Sequence, residues 1–332
     1  MKYGAIIGGI AGLCLSAWLL ESYGVGRILD LLHHAGWFGI LTVVAFHLIQ
    51  ILFSAMGWRA IAGPTVPQPG LWTYVVMRWI REGVNNLLPV GQIGGEFVVA
   101  RLLQRRGLKL SPAIAGTVAD LTMEMVTQIL FTLLGLILLL QTVGDGGIAG
   151  YIVSGVAIAA LVAASFVGSQ WFGLAAGIEK LLLRLGRSFG WSATANVTGL
   201  HDDLIGCYRR LDRVAWAILW HTVSWLLGGI EICLALHFLG HDVGIVPGLI
   251  IESLGQALKA VGFAVPGALG VQEGGYIVIC QLFGLSPEVA IALSLMKRLR
   301  EVGLGIPGLL AWHRAEARPI IAPASPCQNG VL

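Results

Sequence analysis

Ionisable side chains stand inside apolar stretches of this sequence, where a charge is costly. A charged residue at the centre of a transmembrane helix costs about 2.5–3.5 kcal/mol on insertion scales, so such residues are retained for a reason. They are Arg78, Arg81, Glu82, Glu96, Asp120, Glu124, Glu252, Lys259, Glu273, Lys297, Arg298, Arg300 and Glu301. Asp120 and Glu124 are four residues apart and share one helix face, and Lys297, Arg300 and Glu301 share another. Such groups predict a polar cavity, in which arginine would grip an anionic head group and carboxylates would set selectivity or accept a proton.

The elements that must position these groups are transmembrane helices. Of the 332 residues, 56% are hydrophobic and 12% are charged, which is about half of the roughly 25% charged residues of a soluble domain. Apolar runs long enough to cross a bilayer occur at about 3–20, 37–57, 113–141, 149–170, 214–239 and 288–311. We therefore expect an all-α fold, a polytopic transmembrane helix bundle that occupies residues 1–312.

Composition also argues against several other classes of function. The net charge is only +3 and no basic stripe with interleaved aromatic residues occurs, so we expect no nucleic-acid partner. The five cysteines and eight histidines show neither CxxC nor HExxH spacing, so we expect no metal and no cofactor.

The distribution of lysine and arginine between the loops predicts the orientation of the chain. Basic residues concentrate in 101–112, in 173–213 and after residue 312, whereas 142–148, 240–247 and 284–287 contain none. By the positive-inside rule, both termini and the basic loops are cytoplasmic. We interpret 173–213 as an amphipathic cytoplasmic insert and 313–332 as a disordered cytoplasmic tail.

Two further segments, 72–103 and 248–283, are apolar but interrupted by proline, glycine and charges. Each begins and ends on one side of the membrane, so we predict two re-entrant helical hairpins, which are tolerated where they line a watery cavity. The expected hairpin tips contain Pro89, Gly94, Gly95, Pro266, Gly270, Gly274 and Gly275. Each hairpin is followed by a Gly-Leu and Ser-Pro pattern and a helix, which defines an internal repeat at about 72–141 and 248–311. Three helices separate the copies, so the repeats are inverted, with a substrate site expected near the midplane.

The candidate cavity residues come from both copies of the repeat. They are Arg78, Arg81, Glu96, Asp120, Glu124, Gln272, Glu273, Lys297, Arg298, Arg300 and Glu301. The helix after the first hairpin is acidic and the helix after the second is basic, so we expect their charges to pair across a pseudo-twofold axis. The alternative interpretation is that these residues are structural ion pairs that hold irregular hairpins in place.

The second hairpin also carries a recognisable signature. The run Pro266–Tyr276, followed by Gly284–Glu288 and Ser294–Glu301, resembles that of the flippase-like transmembrane family, which includes the membrane half of lysylphosphatidylglycerol synthases. The earlier run Pro89–Glu96 is similar to the upstream motif of that family. Many members have arginine where this chain has Gln272, and the glutamine version is most similar to the hopanoid-biosynthesis-associated branch.

The resemblance implies a lipid-translocating or lipid-handling protein of a bacterial inner membrane, possessing two re-entrant hairpins. Its expected partner is a membrane lipid, either an anionic phospholipid or a hopanoid-type lipid. One alternative is a non-transporting scaffold that recruits lipid-biosynthesis enzymes through 173–213, and another is the membrane part of an aminoacyl-phosphatidylglycerol synthase system. The sequence offers no nucleophile or metal constellation, and no soluble synthetase domain follows the membrane part, so we expect no enzymatic activity.

Overall fold

A computed structural model shows that the chain folds into helices. The structure describes Cys14, Trp18, Leu19 and residues 21–63, 69–88, 94–143, 199–261 and 268–317. The predictions that lie wholly or mostly outside these residues are the spans at 3–20 and 149–170, most of the insert at 173–213, the tail from 318 onward, Pro89 and Pro266.

The described regular elements are helices, labelled here in chain order. They are α1 (Val25–Ala62), α2 (Leu71–Leu87), α3 (Gly94–Arg105), α4 (Leu110–Val143), α5 (Leu200–Tyr208), α6 (Leu211–Phe238), α7 (Ile245–Val261), α8 (Val271–Gln281) and α9 (Pro287–Ala317). Helices α1, α4 and α6 are long and apolar enough to cross a membrane, because about 20 apolar residues span the hydrocarbon core. The chain is an all-α membrane protein with at least these three long apolar helices.

Two helix boundaries differ from the sequence-based expectation. Helix α1 begins at Val25 rather than near residue 37, with a break at Gly36, whose φ is +62°. Charged residues lower the hydropathy of 25–35, yet its apolar residue Ile28 is buried in the fold. Helix α9 continues to Ala317, so the start of the expected disordered tail is helical. There Arg105 donates a hydrogen bond from Nη2 to the carbonyl oxygen of Glu316 over 2.8 Å, which anchors the helix end.

Each of the two interrupted segments forms a pair of short helices. Helix α2 contacts α3, and α7 contacts α8. The intervening residues 89–93 and 262–267 lie outside the described ranges. Two short helices in contact are thus present at both places, whereas the return of each pair to its original side of a membrane stays a prediction.

The contacts among the helices are reciprocal between the two halves. Helix α2 packs against α9, and α7 packs against α4. Helix α1 contacts α2, α4 and α9, and α6 makes the matching contacts with α7, α9 and α4, while α1 and α6 pack against each other. The pattern is unchanged when α1, α2, α3 and α4 are exchanged for α6, α7, α8 and α9. Helix α5 has no counterpart in this exchange.

Small residues allow the two halves to approach closely where α2 crosses α9. A Cβ atom on Gly83 would lie 2.9 Å from the carbonyl oxygen of Gly305, and one on Gly305 would lie 2.6 Å from Cδ1 of Leu87. The Trp79 indole Nε1 donates a hydrogen bond to the carbonyl oxygen of Leu304 over 2.7 Å at the same crossing. Close approach at small residues is a common way for membrane helices to gain packing contacts.

Polar residues occupy the middle of α1 and α6, between two apolar clusters. One cluster includes Ala55 of α1 and Ala217 of α6, and the other includes Val43 and Ile232 of the same helices. The stretch between them on each helix supplies polar side chains to the interior. This arrangement positions the site.

Candidate functional site

A cavity of about 430 Å³ lies in the interior of the helix bundle, with walls from α1, α2, α3, α4, α6, α7 and α9. Both halves contribute, as the sequence led us to expect of a substrate site. Five of the residues selected from the sequence line this cavity: Arg78, Arg81, Glu96, Glu124 and Arg300.

In the first half, the arginines of α2 pair with the carboxylates of α4. Arg81 donates to Asp120 Oδ2 and to Glu124 Oε2, both over 2.6 Å. Arg78 holds Glu124 through two hydrogen bonds of 2.7 and 2.5 Å, and it also pairs with Glu82 at 3.0 Å. Asp120 is fully buried and lies behind Arg81, so it supports the cavity wall rather than forming it.

In the second half, the signs are reversed in one of the two ion pairs that join α7 and α9. The acidic residue is Glu252 of α7, and its partner is Lys297 of α9, at 2.5 Å from Oε2 to Nζ. Lys259 and Glu301 form a further α7–α9 ion pair at 2.6 Å. The expectation that the acidic α4 and the basic α9 pair with each other is therefore wrong. The ion pairs join each long helix to the first short helix of its own repeat through long side chains, whereas α2 packs against α9 and α7 packs against α4.

Residues at the start of α8 lie away from the wall of the cavity. Glu273 accepts a hydrogen bond from the backbone N–H of Gly270 over 2.7 Å and pairs with Arg298 at 2.7 Å. Gln272 donates to Ser294 Oγ over 3.2 Å. Glu273 therefore accepts a hydrogen bond from the backbone at the start of α8, and both residues link α8 to α9. These contacts agree with the alternative interpretation of structural ion pairs.

Two of the remaining selected residues have other surroundings. Lys297 is buried against Glu252 and does not line the cavity. Glu301 lines a smaller neighbouring pocket together with His47, Glu82 and Arg300. Of the eleven residues selected for the cavity, the structure therefore brings together on its wall those of α2 and α3, Glu124 of α4 and Arg300 of α9.

The glycines at the expected hairpin tips differ in their surroundings. A Cβ atom on Gly95 would lie 2.6 Å from the carbonyl oxygen of Arg81, and one on Gly275 would lie 2.4 Å from Leu258 Cδ1. Gly270 has a φ of +77°, a conformation that glycine adopts at little cost. Gly274 faces open space, so close packing does not account for a glycine there, and Gly94 begins α3.

Three interior residues escaped the sequence analysis: His47, His221 and Glu231. His47 lies between two carboxylates, with Nδ1 at 2.9 Å from Glu231 Oε2 and Nε2 at 3.2 Å from Glu82 Oε2. His221 Nε2 lies 2.9 Å from Asp120 Oδ1. The signal that could have found them is a lone carboxylate or imidazole within a long apolar helix. The histidines were weighed only for metal-ligand spacing.

The interior contains more carboxylates than permanent cations among the residues that the structure describes. The carboxylates are Glu82, Glu96, Asp120, Glu124, Glu231, Glu252, Glu273 and Glu301, and the cations are Arg78, Arg81, Lys259, Lys297, Arg298 and Arg300. Every one of these six cations pairs with a carboxylate. The basic cluster is therefore already neutralised, and an anionic ligand would have to compete with those carboxylates.

Neutral hydrogen-bonding groups complete the wall. The amides that line the cavity are Gln50, Asn85, Asn86, Gln128 and Gln256, with Ser54, Ser224 and Trp225 beside them. Amide groups offer both donors and acceptors. Such a wall can bind hydroxyl or amine groups of a ligand. Within the described part of the chain, no group of three or more side chains is arranged to hold a metal ion.

The fold and the cavity define a multi-pass, all-α membrane protein with a charged, amide-lined interior. The family model of the lysylphosphatidylglycerol synthase transmembrane region matches residues 5–308, and the chain belongs to this family. A UPF0104 membrane protein of Methanothermobacter thermautotrophicus is 24% identical over 319 residues, which cover 90% of this chain and 91% of that relative. No solved structure matches the chain.

Proposed function

We propose that this protein translocates or holds a membrane lipid whose polar head group enters the interior cavity. The observation that carries the proposal is the cavity itself, which is about 430 Å³ in volume and is lined by ion pairs and amides inside a bundle of membrane helices. Charges are costly in such a place, and they commonly mark the path of a substrate.

The lining of the cavity favours a head group that donates hydrogen bonds, through hydroxyls or amines. The four permanent cations of the wall, Arg78, Arg81, Lys259 and Arg300, are each paired with a carboxylate, whereas the side-chain oxygens of the amides can accept hydrogen bonds from a ligand. A hydroxylated, hopanoid-type lipid meets this requirement. An anionic phospholipid is the second candidate, and it would have to displace a carboxylate from Arg78, Arg81 or Arg300.

The resemblance to the hopanoid-associated branch also favours a hydroxylated, hopanoid-type lipid. In this proposal the protein resides in a bacterial inner membrane with both termini cytoplasmic, and α2–α3 and α7–α8 are re-entrant hairpins. The protein performs no covalent chemistry on the lipid, and lipid-biosynthesis enzymes are its proposed neighbours.

Purified protein in liposomes tests the proposal directly. Tail-labelled fluorescent phosphatidylglycerol and a tail-labelled glucosyl lipid are incorporated, and a membrane-impermeant reductant bleaches the outer leaflet. We expect bleaching of the inner-leaflet glucosyl lipid to accelerate only when the protein is present. Equal rates in protein-containing and empty liposomes for both probes would exclude translocation of these head groups.

A matched pair of glutamine variants links transport to the cavity. Gln256 lies on the wall, whereas Gln281 is exposed on α8. Losing one hydrogen bond to the head group costs roughly 0.5–1.5 kcal/mol, so Gln256→Leu should slow translocation about three- to tenfold. Gln281→Leu should not change the rate. If translocation is absent while deletion of 173–213 abolishes activity in cells, the scaffold alternative is favoured instead.

A further inference from the structure

His47 connects the two halves of the protein through its imidazole ring. Its Nε2 lies 3.2 Å from Glu82 on α2, and its Nδ1 lies 2.9 Å from Glu231 on α6. The Nδ1 atom also lies 3.1 Å from Nη1 of Arg300 on α9. The ring is half-buried, with 14% of its side chain exposed, and it lines the cavity.

Two carboxylate partners require two donors. A neutral imidazole has a single N–H, so it can donate to Glu82 or to Glu231 but not to both. For the ring to form hydrogen bonds with both carboxylates, one additional proton must be shared among the three groups. The charged imidazole would then donate to both helices at once.

The same heavy-atom positions also suit the neutral ring. Nε2–H can donate to Glu82 while Nδ1 accepts a hydrogen bond from Arg300. Glu231 keeps two other partners, Arg300 and Gln50. A proton can therefore arrive or leave without stranding a buried polar group, which is the condition for reversible protonation in a membrane interior.

Charged groups of both signs surround His47. Those that face it or its immediate partners are Glu231 and His221 from α6, Glu82, Arg78 and Arg81 from α2, Arg300, Glu301 and Lys297 from α9, Lys259 from α7, and Asp120 and Glu124 from α4. The two carboxylates next to the ring, Glu82 and Glu231, favour its charged form, whereas the adjacent Arg300 opposes it.

We propose that His47, held between Glu82 and Glu231, is a proton-binding site that couples proton movement to the translocation of the lipid head group. The inference rests on the proposed function and adds its energy source. Protonation joins α2 to α6 through α1, and loss of the proton exchanges the α6 bond for one to α9. Since α6 and α9 both belong to the second half, the proton determines which helix of that half is bonded to α1 of the first.

Protonation of the ring is measured on the whole protein in lipid bilayers. Solid-state nuclear magnetic resonance of protein labelled with ¹⁵N-histidine distinguishes the charged ring from the neutral one. The His47 signal is assigned by its disappearance in His47→Gln. We expect it to change from the charged to the neutral form as the pH is raised across the range in which histidine titrates. A ring that keeps one form across this range overturns the proposal.

Coupling is measured in liposomes containing the glucosyl probe and a trapped pH indicator. A pH gradient of about one unit, equivalent to a tenfold proton ratio, should change the rate of translocation in the unmodified protein and in His33→Gln, whose side chain is exposed on the same helix. In His47→Gln the gradient should no longer change the rate. Should this variant fail to fold, Glu82→Gln serves instead, since it removes the negative charge from one of the two groups that flank the ring.

The outcomes separate the two proposals. Translocation that responds to the gradient, together with proton flux that requires the lipid, supports the coupling. Translocation that ignores the gradient overturns the coupling and leaves the lipid function standing. No translocation of either probe removes both.

Discussion

Arg81 of α2 and Asp120 of α4 form an ion pair of 2.6 Å in which the exposed fractions of the two side chains are 2% and 0%. Removing Asp120 leaves Arg81 with Glu124 as its remaining close partner and takes away the partner of His221, so the loss should approach the roughly 3–5 kcal/mol of a broken buried ion pair. We expect Asp120→Asn to lower the thermal stability of the purified protein sharply. Replacing both residues with apolar ones of similar size, as in Arg81→Met with Asp120→Leu, should restore much of the loss.

The exposed ion pair between Arg210 and Asp212 supplies the control for that experiment. Its side chains are 58% and 60% exposed, and solvent-exposed pairs contribute little to stability. Asp212→Asn should leave the melting temperature nearly unchanged. A similar loss at both positions would show that burial of the Arg81–Asp120 pair is not what makes it matter.

The crossing of α2 and α9 predicts opposite effects for two glycine-to-alanine changes. Alanine gains about 1 kcal/mol over glycine in a helix, and Gly303 has room for it, because the nearest atom, Val44 Cγ2, would lie 3.7 Å away. At Gly83 the new methyl group would meet the backbone of Gly305 at 2.9 Å. Thermal melting should therefore show Gly303→Ala at or above the unmodified protein and Gly83→Ala below it. Equal shifts would contradict the close crossing.

Access of water to the cavity is testable by cysteine labelling in a background without native cysteines. Ser224 lines the cavity, whereas Ser253 of α7 is fully buried against α4. A small charged thiol reagent should modify Ser224→Cys rapidly and Ser253→Cys only after unfolding, as read by mass spectrometry. Protection of both residues would mean that the cavity is closed to solvent.

Glu273 should matter for stability rather than for transport. Glu273→Gln weakens the charged hydrogen bond to the Gly270 N–H and the ion pair with Arg298, and charged hydrogen bonds are worth roughly 1.5–3 kcal/mol each. We expect a lower melting temperature but an unchanged translocation rate per folded molecule. A normal melting temperature with slowed translocation would indicate that Glu273 acts in transport and not in stability.

The sequence was sufficient to locate the charged helix faces and the breaks between the short helices. Asp120 and Glu124 can be recognised from the sequence because a carboxylate pair inside an apolar run is costly. Their partners could not be read in the same way. Whether α4 pairs with α2 or with α9 depends on where their long side chains meet in the interior, and that information lies in the tertiary structure.

Side chains that depend on a distant partner were the hardest to find. His47 and Glu231 are separated by 184 positions, and each looks like an isolated polar residue within an apolar helix. Glu273 presented the opposite difficulty. Its place in the most recognisable motif suggested a ligand contact, whereas in the structure it satisfies the first turn of α8 and Arg298.

The ion pairs of α2 with α4 and of α7 with α9 bear on how the protein is made. Helix α2 carries two arginines and leaves the ribosome before the carboxylates of α4, so it cannot settle alone in hydrocarbon at low cost. Helix α7, with Glu252, meets the same obstacle until Lys297 of α9 arrives. Biogenesis should therefore proceed in two steps, each complete only when the long helix that neutralises the preceding short helix has been synthesised.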